Sequence, residues 1–128
     1  MSETKRLQDK VAVVTGAAAG IGNAIAGVFA QEGAHVYLTD IDGGGAEEAA
    51  EALVSAGGRA TAMTVDVCKG QDVTALFKNI EAGPGRIDVL VNNAGLNVRE
   101  DFRHLSDADW AKIREVNLDG VVRMARDG

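Results

Sequence analysis

The stretch from Val11 to Gly22 constrains the fold of this chain more than any other. Residues 11–14 form a continuous, mostly β-branched apolar run, which is typical of a parallel strand buried on both faces. Gly16, Gly20 and Gly22 follow at once, and without Cβ atoms they allow a tight turn and close approach of a ligand to the backbone. A helix that begins near Gly20 would point its free N–H groups into that turn, which favours an anion such as pyrophosphate. A glycine turn without a ligand is the alternative.

Composition limits the classes of protein that the chain can belong to. A length of 128 residues, 46% of them hydrophobic, predicts one domain over residues 1–128. The net charge of −6 argues against a nucleic acid or an anionic membrane surface as a partner. The one cysteine, Cys68, fits a reducing cytoplasm, and we interpret it as a small buried side chain. No apolar leader segment or run of about 18 apolar residues is present, so we expect a cytoplasmic protein. No metal site is predicted.

Periodicity along the chain predicts alternating strands and helices. Four strands are expected, at residues 10–15, 35–39, 60–65 and 87–91. The inward faces of the helices between them should be formed by apolar residues at helical spacing, namely Ile21, Ile25, Val28 and Phe29, then Ala46, Ala49, Ala50, Leu53 and Val54, then Val73, Leu76, Phe77 and Ile80. We expect Gly43–Gly45 to form a loop. A last helix should run from Ser106 to about Arg126, with Trp110, Ile113, Val121 and Met124 as its apolar stripe.

Four such units predict an α/β fold with a doubly wound parallel sheet and helices on both faces. In the Rossmann-like arrangement the strand order is 3-2-1-4. The order reverses between the first and fourth strands, so the ligand crevice should lie above Gly16 and Asn92.

The spacing of the glycines differs from the G-x-G-x-x-G of ordinary dinucleotide-binding domains. Thr15 followed by Gly16-x-x-x-Gly20-x-Gly22 resembles the T-G-x-x-x-G-x-G signature of the short-chain dehydrogenase/reductase family. Asp66-Val67 resembles the family's Asp-Val/Leu pair, and Asn92-Asn93-Ala94-Gly95 is similar to its N-N-A-G motif. The resemblance covers about residues 7–124. It implies the NAD(H)-binding portion of an oxidoreductase that transfers a hydride between a nicotinamide cofactor and an alcohol or carbonyl substrate.

The resemblance also implies a set of cofactor contacts, made by Thr15, Gly16, Gly20, Ile21, Gly22, Asp40, Ile41, Asp66, Val67, Asn93, Ala94 and Gly95. Asp40 ends the second strand, where a carboxylate can accept hydrogen bonds from both hydroxyls of an adenosine ribose and would repel a 2′-phosphate. Ala19 precedes Gly20, and Ile41-Asp42 follows Asp40, so no basic residue is placed to hold that phosphate. NAD is therefore predicted over NADP. Asp40 could instead cap the loop that follows it.

Three further roles are implied by the resemblance. The Asp66 carboxylate should bind the adenine amino group, with the backbone of Val67 continuing that contact, although Asp66 could also cap the third helix. Asn92 and the flanking backbone should tie the fourth strand to its neighbours and line the nicotinamide ribose, although asparagines and a glycine also simply form turns. Asn117 matches the family's helix asparagine that binds a water in a proton relay, with a structural backbone contact as the alternative.

The family's chemistry also needs a Tyr-x-x-x-Lys pair and an upstream serine. The tyrosine is the general acid/base, its pKa lowered by the lysine, and the serine holds the substrate oxygen. Tyr37 is the one tyrosine here, and Ile41 stands four residues after it, so the pair is absent. We therefore expect a truncated, cofactor-binding half that is inactive as this chain alone, with its substrate bound only if a C-terminal half completes it.

Two other classes remain open. The chain could be a non-catalytic NAD-binding or sensing module that acts through a protein partner. It could also be a methyltransferase-like domain with an adenosyl cofactor, although the Thr15 glycine spacing and the asparagine motif argue against this. An apolar edge at residues 87–91 predicts a homo-oligomer or pairing with a second fragment.

Overall fold

The computed structural model describes residues 5–94, 106–115, 120, 124 and 125. Strands and helices alternate along them as the sequence predicts. In chain order the elements are β1 (Val11–Thr15), α1 (Gly20–Gln31), β2 (His35–Asp40), α2 (Gly43–Ser55), β3 (Arg59–Thr64), α3 (Gly70–Ala82), β4 (Val89–Val91) and α4 (Asp107–Arg114). None of the helices in this part of the chain has the length and apolar character needed to cross a membrane.

The four strands form one parallel sheet in the order β3-β2-β1-β4, which confirms the predicted topology. Every residue of β1 is buried, because β1 has a strand on each side and helices on both faces. The register pairs Thr15 with Thr39 and Val14 with Val91. The carboxyl ends of β1, β2 and β4 therefore meet at one edge of the sheet.

The side chains of β1 alternate between two hydrophobic cores. Ala12 and Val14 face the core that α1 and α2 cover. Val11 and Val13 face the core that α3 covers, where Met124 is also fully buried. α3 buries Val73, Leu76 and Ile80, as its periodicity predicts. This arrangement is the doubly wound one, with helices packed on both sides of the sheet.

The inward faces of α1 and α2 differ from the prediction. Ile21 and Val28 are 72% and 55% exposed, and Val54 on α2 is 53% exposed. α1 instead packs on the sheet through Gly22, Ala26 and Ala30, while Ile25 and Phe29 border the same core. Gly22, Ala26 and Ala30 lie four apart and have side chains no larger than a methyl group, so the helix backbone can approach the sheet closely.

The predicted Gly43–Gly45 loop is in fact the first turn of α2. Asp42 is the N-cap residue, and its Oδ1 accepts a hydrogen bond from the Gly45 N–H at 3.0 Å. This cap satisfies one of the N–H groups that a helix start leaves free. A Cβ at Gly43 would overlap the Thr64 side chain. Gly43 therefore serves close packing against β3 rather than a flexible connection.

Asp88 joins the start of β1 to the segment before β4. Its Oδ2 accepts hydrogen bonds from the Val11 N–H at 2.8 Å and from Arg86 Nε at 3.1 Å. Its own N–H donates to the Val11 carbonyl at 2.8 Å. The Val11 N–H thus bonds to the Asp88 side chain and not to a backbone carbonyl. The strand β4 covers only Val89–Val91.

We predict that this joint weakens in acid. The hydrogen bond from the Val11 N–H, helped by Arg86, holds the pKa of Asp88 below its ordinary value of 3.8. A lowered folded pKa contributes stability that is present above the ordinary pKa and lost as the pH falls through the folded pKa. Urea unfolding of the chain and of Asp88→Asn should therefore differ less at about pH 3 than at about pH 6. A difference that is constant across this range would contradict the assignment.

Candidate functional site

A cleft of about 480 Å³ lies at the carboxyl ends of the strands. It brings together eight of the residues that the sequence predicts for cofactor binding, namely Thr15, Gly16, Asp40, Ile41, Asp66, Val67, Asn93 and Ala94. Gly20, Ile21 and Gly22 belong to the first turn of α1 beside the cleft and do not line it. Gly95 and Asn117 lie outside the described residues.

The glycine turn between β1 and α1 forms one wall of the cleft. Gly16 and Gly20 have φ values of +65° and +63°, a region that residues with a Cβ rarely adopt. Ala19 occupies the N-cap position of α1 and offers no side-chain acceptor to the helix. The first N–H groups of α1 are consequently available to an anionic ligand, together with the positive end of the helix dipole.

Gly22 allows α1 to pack closely against the glycine turn. A Cβ on Gly22 would overlap the Gly16 carbonyl oxygen and lie 2.5 Å from Asn93 Nδ2. Asn93 Nδ2 itself donates to that carbonyl at 3.2 Å. Gly22 is thus required for the packing of α1 against the turn. Asn23, which sequence reasoning did not single out, supports the same turn by donating from Nδ2 to the Ala17 carbonyl at 3.3 Å.

Thr15 ties β1 to the turn that follows β4. Its Oγ1 accepts hydrogen bonds from the N–H groups of Asn93 and Ala94, both at 2.9 Å, and donates to the Val91 carbonyl at 3.3 Å. The backbone that follows Asn92 therefore ties the end of β4 to β1, as the sequence predicts, and the role of the Asn92 side chain stays a prediction. Asn93 adds a second tie, because its Nδ2 donates to the Gly16 carbonyl.

We predict a large difference between two paired threonines. Thr15 and Thr39 are register partners and each is 1% exposed, but Thr39 Oγ1 only donates, to the Val14 carbonyl at 3.3 Å. Thr15→Val leaves the part-buried Ala94 N–H without its acceptor and leaves the Asn93 N–H with only the Val91 carbonyl, at 3.2 Å. It should cost about 2–3 kcal/mol of unfolding free energy. Thr39→Val should cost about 0.5–1.5 kcal/mol. Urea unfolding of both variants measures the difference; equal losses would contradict the role of Thr15.

Asp40 stands between the two loops that border the cleft. Its Oδ2 accepts a hydrogen bond from the Ala18 N–H at 2.9 Å, and its Oδ1 accepts one from the Asp42 N–H at 3.0 Å. Asp40 therefore braces the glycine turn and also holds the loop after β2, so the alternative role as a loop cap is present as well. A carboxylate has about four lone-pair sites, so each oxygen keeps acceptor capacity toward the cleft.

Asp66 forms the opposite wall with Val67. Its Oδ1 accepts from the Cys68 N–H at 2.9 Å, which closes a turn before α3. The N-cap residue of α3 is Lys69, so Asp66 does not cap that helix. The Asp66 N–H donates to Asp72 Oδ2 at 2.9 Å, an interaction that sequence reasoning missed.

The described lining of the cleft is acidic. It contains the carboxylates of Asp40, Asp42 and Asp66, and none of the described lining residues is lysine, arginine or histidine. Sequence reasoning missed five of the lining residues, which are Ala18, Ala19, Thr39, Asp42 and Val65. Their positions within the glycine turn and at the ends of β2 and β3 were the available indication. The arrangement can bind a diphosphate at the turn and a diol at a carboxylate, as in other doubly wound sheets.

Comparison with known proteins identifies the family. The family model described as short chain dehydrogenase matches residues 10–128, so the chain belongs to the short-chain dehydrogenase family. It is 39% identical over 120 residues to an NAD-dependent glycerol dehydrogenase of Listeria innocua, covering 94% of this chain and 46% of the relative. It is 40% identical over 121 residues to a D-threitol dehydrogenase of Mycolicibacterium smegmatis, with the same coverage.

A solved structure gives the same result for the fold. The crystal structure of a short chain dehydrogenase from Mycobacterium smegmatis superposes with a TM-score of 0.91 at 35% sequence identity. The superposition covers 99% of this chain and 54% of that one. The chain spans about half the length of the curated relatives it matches.

Proposed function

We propose that this chain is the NAD(H)-binding portion of an oxidoreductase that transfers a hydride between a nicotinamide cofactor and an alcohol or carbonyl substrate. The observation that carries the proposal is the cleft itself, where the uncapped start of α1, the glycine turn and Asp40 meet. The turn would hold the diphosphate against bare backbone, and Asp40 would accept from the hydroxyls of the adenosine ribose. Family membership and the name of the Listeria relative support the nicotinamide cofactor.

We also propose that the cleft binds NAD in preference to NADP. A 2′-phosphate would lie beside the Asp40 carboxylate, with Asp42 next to it and no basic group among the described lining residues. Like charges at close range in a partly buried cleft disfavour each other strongly, so the doubly charged phosphate would be excluded. A ribose diol carries no charge and donates hydrogen bonds to the same carboxylate.

In the proposed reaction this chain binds and positions the cofactor, whereas the general acid is not among its residues. When bound, the nicotinamide supplies the group that accepts or donates the hydride. The chain positions it through Asn93 and Ala94, which Thr15 fixes at the end of β4, and Asn117 would hold a water for proton transfer. No Tyr-x-x-x-Lys pair occurs in the 128 residues. Without that general acid, catalysis loses about 10²- to 10⁴-fold, so we propose that the polypeptide alone is inactive.

Calorimetric titration of the purified 128-residue chain tests the binding half of the proposal. NAD should bind at one site, NADP at least about 10-fold more weakly, and S-adenosylmethionine not at all. Binding of S-adenosylmethionine in place of NAD would support a methyltransferase-like domain and overturn the proposal. An assay of NADH formation with simple polyols should give no turnover above the rate without protein, and measurable turnover would refute the inactivity.

We also propose that the chain pairs with another polypeptide, either a second copy or a fragment. β4 is an edge of the described sheet, and Val89–Val91 are only half-buried. Strand edges of this kind readily pair with other strands. This observation also favours the second candidate function, an NAD-binding module that acts through a protein partner. Sedimentation at micromolar concentration should show a mass above that of one chain, and a well-folded monomer would count against pairing.

A further inference from the structure

Asp72 lies in the first turn of α3, outside the cleft, yet it is bonded to the cleft wall. Its Oδ2 accepts a hydrogen bond from the Asp66 N–H at 2.9 Å. The preceding N–H group, that of Val65, donates to the Asp40 carbonyl at 3.0 Å and so extends the ladder between β2 and β3. Successive backbone groups of an extended segment point to opposite sides, so the Asp66 N–H points away from β2. β3 is an edge of the described sheet, and on that side the acceptor is the Asp72 carboxylate.

The Asp66 carboxylate is fixed in the same turn. Its Oδ1 accepts from the Cys68 N–H at 2.9 Å, and the Lys69 N–H donates to the Asp66 carbonyl at 2.9 Å. The backbone of Asp66 is therefore held from one side by Asp72 and from the other by Lys69. With both backbone groups fixed, the direction of the side chain into the cleft is fixed too, and the carboxylate keeps lone pairs for a ligand.

We infer that Asp72 is a positioning residue, which orients Asp66 so that its carboxylate accepts from the exocyclic amino group of a bound adenine. The inference rests on the proposed function, in which the cleft holds an adenine dinucleotide. Loss of the Asp72 acceptor leaves the Asp66 N–H unpaired and frees the turn between β3 and α3. Binding would then have to order that turn, and the preorganised contact to the amino group would be lost.

The test compares NAD with nicotinamide hypoxanthine dinucleotide, in which a carbonyl oxygen replaces the adenine amino group. A carboxylate that accepts from the amino group cannot accept from the carbonyl, so the wild-type chain should prefer NAD by at least about 10-fold. Asp72→Ala should lower this preference to about 3-fold or less. Asp72→Asn keeps an acceptor oxygen in place and should retain the wild-type preference. Gln71→Ala, at an exposed neighbour in the same turn, is the matched control.

The ratio of the two dissociation constants separates positioning from stability, because a merely destabilised variant would bind both ligands more weakly by the same factor. An unchanged ratio in Asp72→Ala, or equal binding of the two ligands by the wild-type chain, would overturn the inference while leaving the proposed function standing. Failure of the wild-type chain to bind NAD at all would overturn the proposed function and the inference with it. If Asp72→Ala does not fold, Asp72→Glu is the alternative, because it displaces the acceptor by one methylene. This variant should show a smaller preference for NAD over the hypoxanthine analogue. The wild-type preference in Asp72→Glu would overturn the inference.

Discussion

Gly22→Ala should destabilise the chain and abolish tight nucleotide binding, whereas Gly27→Ala, on the same helix, should do neither. A Cβ at Gly22 would overlap the Gly16 carbonyl oxygen and lie 2.5 Å from Asn93 Nδ2. Backbone atoms cannot yield as a flexible side chain does, so α1 must move away from the turn. We expect a loss of about 3 kcal/mol or more of unfolding free energy, at the upper end of what overpacking costs.

Gly27 provides the matched control for this substitution. A Cβ there would lie 3.9 Å from Leu53 Cδ2, an ordinary van der Waals separation. Glycine within a helix is less favourable than alanine, so Gly27→Ala should add about 0.5–1 kcal/mol. Urea unfolding gives both values, and calorimetry with NAD gives the binding. Equal effects of the two substitutions would show that the close approach of α1 to the glycine turn does not matter.

Asp40→Ala should weaken NAD binding by about 10- to 150-fold and remove most of the preference over NADP. The first effect follows from the loss of hydrogen bonds to a charged acceptor, which contribute about 1.5–3 kcal/mol. The second follows from the loss of the carboxylate that repels a 2′-phosphate. Glu48→Ala, which removes an exposed carboxylate on α2, should change neither quantity.

Asp40 also holds the Ala18 and Asp42 N–H groups, so the variant will lose some stability. The ratio of the NADP and NAD dissociation constants isolates the role in recognition, because a distorted glycine turn would weaken both cofactors alike. A ratio in Asp40→Ala that equals the wild-type ratio would contradict the assignment of Asp40 to cofactor selection.

The sequence was sufficient to predict the topology, because β-branched runs, helical spacing and glycine breaks all indicate the same alternation of strands and helices. Eight of the cleft residues were predicted from the motifs that contain them, which lie at the carboxyl ends of the parallel strands, and five were missed. The buried face of α1 was not predictable from the spacing of its apolar residues. Ile21 and Val28 have the right period, but Gly22, Ala26 and Ala30 allow a closer approach to the sheet, and packing selected them.

Hydrogen bonds that depend on where one side chain or one backbone N–H group points could not be predicted from the sequence either. The sequence does not indicate that the side-chain amide of Asn93 reaches the Gly16 carbonyl. The bond from the Asp66 N–H to Asp72 depends on which way the chain turns after β3, six residues before Asp72. Neither direction is encoded in residue type or periodicity. Both follow from the way the end of a strand is fixed by its neighbours.

A crystal structure of the chain grown with excess NAD tests the central claim most directly. We predict electron density for one NAD molecule across the carboxyl ends of the strands, with its diphosphate on the Gly16–Gly20 turn, its adenosine ribose at Asp40 and its adenine beside Asp66. An empty cleft in such crystals, or NAD bound elsewhere on the chain, would contradict the account.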